Sequence, residues 1–315
     1  TMFARCYEMA GITKNDRIQI TPGYGLWTAG IGFQAGCERL GAMAIPMGPG
    51  NTEKQLKMMV DLKSTVITAP SYALMLGEEV TKRGLKDKIC LKKGVIGSER
   101  WSDAMRARIR DELGIELYDI YGLTEIYGPG IGINCDKGSG IHYWDDYIYI
   151  EIIDPATGEP VPDGEEGEIV ITTLVKEGAP LIRFRTHDLS RIIPEKCPCG
   201  IKYPRIDIIR GRSDDMFKVR GVNMFPAQVE EILSKVEGAS SEYSITIARD
   251  DDNNKDVMLL TVEGDGDYSF DEMKGNIVDL FKSMIGMTPK VIIVPIGTLP
   301  RSEKKTKRVT DLRDN

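Results

Sequence analysis

The sequence predicts an α/β fold: a large domain with a parallel sheet, helices on its faces and an added antiparallel β segment, then a small α+β C-terminal domain. Three observations predict it. Over about the first 120 residues, short apolar runs alternate with segments of helical period, the pattern of parallel strands joined by helices. The stretch "YIYIEIIDPATGEPVPDGEEGEIVITTLV" then sets two long β-branched runs around a turn-rich acidic spacer. The last part of the chain mixes paired apolar runs with two helical segments, which suits a smaller sheet-and-helix unit.

The elements follow in order. "TMFARCYEMAG" reads as a helix in mid-course, which leads to the expectation that further chain precedes it. "DRIQITPGYG" is a strand entering a glycine-rich turn, "WTAGIGFQAGCERLG" a helix closed by Gly41, and "AMAIPMG" a short strand. "NTEKQLKMMVDLK" opens on a capping box from Thr52 to Gln55, with Leu56, Met59, Val60 and Leu62 mostly on one face. "STVITAPS" and "CLKKGVIGSE" are strands. "WSDAMRARIRDELG" is a helix with Met105, Ile109 and Leu113 four apart and Gly114 just past its end. "IELYDIYG" returns as a strand, and such sheets bind ligands beyond the strands' carboxyl ends. Further on, "MFKVRG" is a strand, Pro226 starts a helix, and "YSITIA" and "VMLLTVEG" pair. "DEMKGNIVDLFKSMIG" is a helix and "KVIIVP" a final strand. The domains expected are residues 1–213 and a mobile unit of residues 214–315, with the boundary near "GRSDD".

Composition narrows the function. The 315 residues are 41% hydrophobic, enough for a well-buried core, and the net charge of −7 argues against nucleic-acid binding. No apolar run approaches a membrane span, and no signal peptide precedes the first strand. Six cysteines are too sparse for a disulfide scaffold. Cys6, Cys37 and Cys90 read as buried, inert thiols, in keeping with a reducing cytoplasm.

The chemistry starts at "YDIYGLTE", residues 118–125. A carboxylate at a strand's carboxyl end, Glu125, can hold Mg²⁺ on a triphosphate. Thr124 can bond a phosphate and Tyr121 can stack on a base, although an ordinary turn with an exposed Glu has the same residues. "RFRTHDL" follows, where Asp188 can accept both hydroxyls of a ribose. "RGRSDDMFKVRG" and "LPRSEKKTKRV" come later, the latter also readable as a solvated basic tail. In this order and spacing the motifs resemble the adenylate-forming superfamily of acyl-CoA synthetases, luciferases and adenylation domains. "YGLTEIYGPG", "GIHYWDDYIYIEIIDP", "APLIRFRTHDL", "CPCG" and "GRSDDMFKVRGVNMFPAQVEE" resemble the phenylacetate–CoA ligase family in particular, with "GSERW" at the place of its "GAEPW".

The resemblance implies two half-reactions: attack of an aryl carboxylate on the α-phosphate of ATP, then displacement of AMP by the thiol of coenzyme A. It implies that Glu125 binds Mg²⁺, that Thr124 contacts phosphate, and that Ser98, Glu99, Arg100, Tyr121 and Gly122 line the nucleotide site. By the same resemblance Asp188 holds the ribose and Arg212 supports the nucleotide. Lys305 is the catalytic lysine, with Lys307 as the alternative. Asp214 is the hinge, and Arg220 and Gly221 border the coenzyme A channel. Tyr24, Trp27 and Gly97 belong to the acid pocket, where glycines allow close approach and aromatic rings can face the substrate. A homodimer is the implied assembly. Two departures stand out. The usual Gly-Lys of the C-terminal motif is Lys304-Lys305 here, and the Ser/Thr/Gly-rich phosphate loop has no counterpart in these 315 residues. Two other functions stay open: an adenylating enzyme serving another acceptor, and a non-catalytic, zinc-stabilised relative.

"CPCG" raises a separate question. Cys197 and Cys199 join Cys135 and His142, one of only two histidines, to give three thiolates and an imidazole flanking the same β segment. That set suits a closed tetrahedral zinc site, and the alternative is four unmetallated side chains in nearby loops.

Overall fold

A computed structural model describes residues 1–26, 28–69, 72–97, 103–137, 140–249, 256–300 and 308–313. The chain divides into two compact units, one built from residues 1–100 and 106–210, the other from residues 101–105 and 211–315.

The first unit begins with α1 (Met2–Met9), β1 (Arg17–Ile20), α2 (Thr28–Leu40), β2 (Met43–Pro46) and α3 (Thr52–Asp61). It continues with β3 (Val66–Ala69), α4 (Tyr72–Lys82), β4 (Lys93–Gly97), α5 (Asp103–Leu113) and β5 (Glu116–Leu123). Strands β2-β1-β3-β4-β5 are parallel neighbours, as the alternation of strand and helix predicts. The sheet then extends antiparallel through β6 (Gly128–Asn134), β7 (Ile141–Tyr143), β12 (Arg205–Ile206) and β11 (Ile192–Ile193), to nine strands. Strands β8 (Ile148–Ile153), β9 (Gly167–Thr173) and β10 (Phe184–Ser190) form a separate antiparallel sheet in the order β10-β9-β8. Its inward isoleucines, Ile148, Ile150, Ile152, Ile169 and Ile171, share a core with Ile126, Ile131 and Ile141.

Several expectations change. The helix at residues 52–61 has no capping box at Thr52: Asn51 is the N-cap, in a left-handed conformation, and accepts from the Lys54 N–H. Thr52 instead meets the Tyr72 hydroxyl at 3.0 Å, and Gln55 donates to the Gly48 carbonyl. "GPGIGIN", with no predicted element, is the buried strand β6. Its glycines follow from packing, since a Cβ on Gly130 would lie 2.6 Å from the Phe3 ring. Phe3 belongs to α1, which is anchored by Arg5. The Arg5 guanidinium makes a two-pronged ion pair with Asp146 at 2.7 and 2.8 Å and lies 5.5–5.6 Å from the rings of Trp144, Tyr147 and Tyr203.

The second unit holds the short strand β13 (Gly211–Arg212), a hairpin of β14 (Phe217–Val219) and β15 (Val222–Met224), and α6 (Pro226–Leu233). Pro226 is the first helical residue, as predicted. Then come β16 (Ala239–Arg249), β17 (Asp256–Gly264), α7 (Phe270–Met284), β18 (Lys290–Pro295) and β19 (Val309–Asp311), with sheet order β18-β17-β16-β19. "KVIIVP" is therefore not the final strand. β19 adds on the far edge, its sequence too short and polar to announce a strand alone. Val229, Ile232 and Leu233 of α6 and Met273, Ile277 and Phe281 of α7 pack against Tyr243, Ile245, Ile247, Leu260 and Val262.

Candidate active site

The parallel strands deliver the predicted residues to their carboxyl ends. Tyr121 and Gly122 lie in the last turn of β5's run, and Thr124 and Glu125 follow at once, both exposed. The exposure is enforced by backbone packing. A Cβ on Gly122 would lie 2.2 Å from the Gly128 carbonyl oxygen, and the β5–β6 register breaks between Tyr121 and Leu123. The kink there turns the chain out of the sheet, so Thr124 and Glu125 emerge rather than continue the strand. Gly122→Ala is expected to cost about 3 kcal/mol by overpacking, read as a melting-temperature fall of roughly 6–12 °C. An unchanged melting temperature would show that the strands can part without cost.

Asp188 reaches the same place from β10. It is 9% exposed, and the Tyr121 hydroxyl donates to its carboxylate at 2.8 Å. Two motifs 67 residues apart thus meet. A hydrogen bond to a charged acceptor is worth roughly 1.5–3 kcal/mol and fixes the carboxylate's direction. Tyr121 is itself 7% exposed and packed among isoleucines, so its polar end is committed to Asp188. The neighbouring Lys176 adds a contact that no motif signalled: its Nζ donates to the Glu125 carbonyl oxygen and lies 5.7 Å from the Tyr127 ring centre.

Gly97 ends β4, and a Cβ there would lie 2.3 Å from the Ile120 carbonyl oxygen, so nothing larger fits without moving β5. Tyr24 follows β1. Its hydroxyl is buried without a hydrogen-bond partner among the described residues, and burial, with Cys37 and Glu38 nearby, pushes it up to about 12. It therefore stays a neutral phenol, apolar in its ring and polar at one atom. Trp27, Ser98, Glu99, Arg100, Lys305 and Lys307 lie outside the described residues.

In the second unit, Arg212 grips Asp214 with two hydrogen bonds of 2.8 and 2.7 Å. Arg220 and Gly221 form the two-residue turn between β14 and β15, with φ of 51° and 83°. Positive φ at both positions is the geometry that matches strand twist in a tight hairpin. Arg220 holds it by donating to the Asp256 carbonyl at 2.7 Å.

The cysteines and histidine also converge. The potential ligand atoms of Cys135, His142, Cys197 and Cys199 all lie within 4.8 Å of one another. Cys135 follows β6, His142 lies on β7 rather than in a loop, and Cys197 and Cys199 fall between β11 and β12. The Cys135 and Cys197 sulfurs are 3.5 Å apart, and Cys199 sulfur is 3.5 Å from His142 Nε2. Disulfide sulfurs sit about 2.05 Å apart, so these thiols are free. Donors around one zinc, at about 2.0–2.3 Å from the ion, lie roughly 3.5 Å from each other. His142 Nδ1 faces the Tyr203 carbonyl at 2.9 Å. A carbonyl only accepts, so Nδ1 carries the proton and Nε2 is left for a metal. Burial lowers the histidine's pKa and keeps the ring neutral. Burial likewise pushes Cys199 up to about 11. Cys197 is also penalised by burial, yet the Cys199 backbone N–H and the neighbouring thiols bring it below the usual thiol value.

Comparison with known proteins follows this geometry closely. Residues 26–174 match the AMP-binding enzyme family, and residues 221–313 match the AMP-binding enzyme C-terminal domain. Phenylacetate–coenzyme A ligase of Pseudomonas putida is 41% identical over 98% of this chain and 72% of its own length. The Escherichia coli (strain K12) enzyme of that name is 41% identical over 99% of this chain and 72% of its own. The chain belongs to the phenylacetate–CoA ligase family. A member of this family is an AMP-forming acid–thiol ligase of the adenylate-forming superfamily. The fold agrees: a crystal structure of 2-hydroxyisobutyryl-CoA ligase in the postadenylation state superposes with a TM-score of 0.88 at 28% identity. That match covers 99% of this chain and 69% of the other. Among the described residues no helix is long and apolar enough to cross a membrane.

Proposed function

We propose that this phenylacetate–CoA ligase family member joins phenylacetate, or a related arylacetate, to coenzyme A at the expense of ATP. The acid's carboxylate oxygen attacks the α-phosphorus and pyrophosphate leaves. The coenzyme A sulfur then attacks the acyl carbon, and AMP leaves. The observation that carries this reading is the meeting of Asp188 with Tyr121 beside the emerging Thr124–Glu125 turn. A carboxylate held in one direction suits the paired hydroxyls of a ribose. An exposed hydroxyl and carboxylate a few residues away suit a triphosphate and its cation. Bound Mg²⁺ supplies charge neutralisation on the phosphates. In this reading Glu125 holds it and Thr124 bonds a phosphate oxygen.

The neutral phenol of Tyr24 and the bare backbone at Gly97 favour a flat, largely apolar acid over a charged one. Arg212 supports the nucleotide, Asp214 is the hinge, and Arg220 and Gly221 border the path of the thiol. The quartet of Cys135, His142, Cys197 and Cys199 holds structural zinc. The free thiols among the described residues suit a reducing compartment such as the cytoplasm, and a homodimer is the assembly proposed from the family.

A panel of acids with ATP and coenzyme A, reading pyrophosphate and thioester separately, tests the function. Arylacetates are expected to give both products in equal amounts, and aliphatic acids little of either. Pyrophosphate without thioester would transfer the reading to an enzyme with another acceptor. Neither product from any acid, together with no ATP binding, would leave a non-catalytic relative.

A further inference from the structure

Strand β10 departs from its ladder just where Asp188 stands. Arg185 pairs with Val170 and Leu189 with Glu168, so residues 186–188 together oppose Ile169 alone. His187 in the middle of this bulge has a φ of 65°, a left-handed conformation unusual for any residue but glycine. A three-residue excursion cut from its ladder would ordinarily wander. Here side chains replace the missing ladder bonds. Thr186 Oγ1 donates to the Ile169 carbonyl at 2.8 Å and accepts from the Asp188 N–H at 3.1 Å.

The larger tie is Glu168, whose side chain is wholly buried. Its carboxylate accepts from Arg185 Nε at 2.9 Å and Nη2 at 2.7 Å, and from the His187 N–H at 3.3 Å. Arg185 is fixed in turn by donating to the Pro155 carbonyl at 2.9 Å. A buried carboxylate is retained only when such partners compensate its lost hydration. These partners lie one and three residues before Asp188. The product of the whole arrangement is a carboxylate aimed at the Tyr121 hydroxyl.

We propose that Glu168 is a positioning residue for the nucleotide's ribose: through Arg185 and the His187 backbone it holds the bulge that presents Asp188. This rests on the reading of Asp188 as the ribose ligand. Glu168 touches no nucleotide; it acts through Asp188.

The test compares affinity for ATP with affinity for 2′,3′-dideoxy-ATP, which lacks both hydroxyls. Wild type is expected to favour ATP by about tenfold or more, the size of a charged hydrogen bond. Asp188→Asn should abolish most of that preference. Glu168→Gln, which keeps the shape but removes the charge gripping Arg185, should also abolish it while leaving dideoxy-ATP affinity unchanged. The double variant should be no worse than Asp188→Asn. A merely structural Glu168 would lower the melting temperature and leave the ATP preference at its wild-type value, which overturns the proposal. If wild type shows no preference for ATP, or Asp188→Asn retains it, the ribose reading itself has failed, and the two failures are thereby told apart. Should Glu168→Gln not fold, Thr186→Val removes the smaller tie and is read by the same ratio.

Discussion

Replacing Lys305 with alanine is expected to slow acyl-adenylate formation by about 10²–10³-fold, the cost of removing one preorganised charge from a developing oxyanion. Thioester formation from supplied acyl-adenylate should stay within a few-fold of wild type. The split follows from the chemistry. Negative charge builds on the α-phosphate oxygens in the first step, whereas the second discharges a phosphate leaving group already formed. The described residues on either side of positions 301–307 are held in place. On one side the Leu299 N–H donates at 2.7 Å to Glu263, itself fully buried. On the other, Arg308 pairs with Glu242 at 2.8 Å and covers the Tyr243 ring. Those ends start from opposite edges of the sheet, β18 and β19. Pyrophosphate release and thioester formation measured separately on Lys305→Ala and Lys307→Ala decide the assignment. Equal loss in both steps for Lys305→Ala contradicts it, and the asymmetric loss appearing only in Lys307→Ala moves the role there.

The second large effect concerns the metal. Protein purified without chelator is expected to carry one equivalent of zinc, and Cys197→Ser to carry well under half. At free zinc a thousandfold above the dissociation constant, binding stabilises the native state by about 4 kcal/mol. Losing that is expected to lower the melting temperature by roughly 8–16 °C. The physical reason is topological. Strands β8 to β10 leave the main sheet after His142 and return before Cys197, so an ion held by the quartet would close the neck of a long excursion. The excursion's own core and Asp188, which it carries on β10, should be loosened together. A zinc-free protein with an unaltered melting curve would remove the metal from the account.

The legible parts of the sequence were those in which local pattern and tertiary role agree. "VITA" and "KGVIG" are strands by β-branching and burial alike. Met105, Ile109 and Leu113 are spaced for one helical face, and all three are buried in α5 or at its end. Cysteine and histidine spacing sufficed to assemble the quartet, because so few other candidates exist. What stayed hidden depended on contacts between distant segments. The strand β6, "GPGIGIN", carries no strand signal, since its glycines answer to the Phe3 ring and not to strand propensity. Helix α4 gave no clear signal because Gly77 interrupts it, yet that glycine lets the helix approach Glu112 and Leu113. The candidate site divides the same way. Thr124, Glu125 and Asp188 stand in motifs. The Tyr121 hydroxyl bond to Asp188, the Lys176 bond to Glu125 and the Glu168 clamp exist only once β5, β9 and β10 are in register.

Helix α1 brings a consequence in time. Its anchor, the Arg5–Asp146 pair inside three aromatic rings, spans 141 residues of sequence. During synthesis at about 5–20 residues per second, Arg5 waits roughly 7–28 s for Asp146 to be made. Tyr203, the third wall of the cage, arrives later still. Until residues 128–134 are made, the apolar face of α1, with Phe3, Cys6 and Tyr7, has α2 to lean on but not β6. The nascent chain therefore passes through a stage in which α1 is made and only half docked. That is the stage at which a chaperone, or another nascent chain, has most to bind.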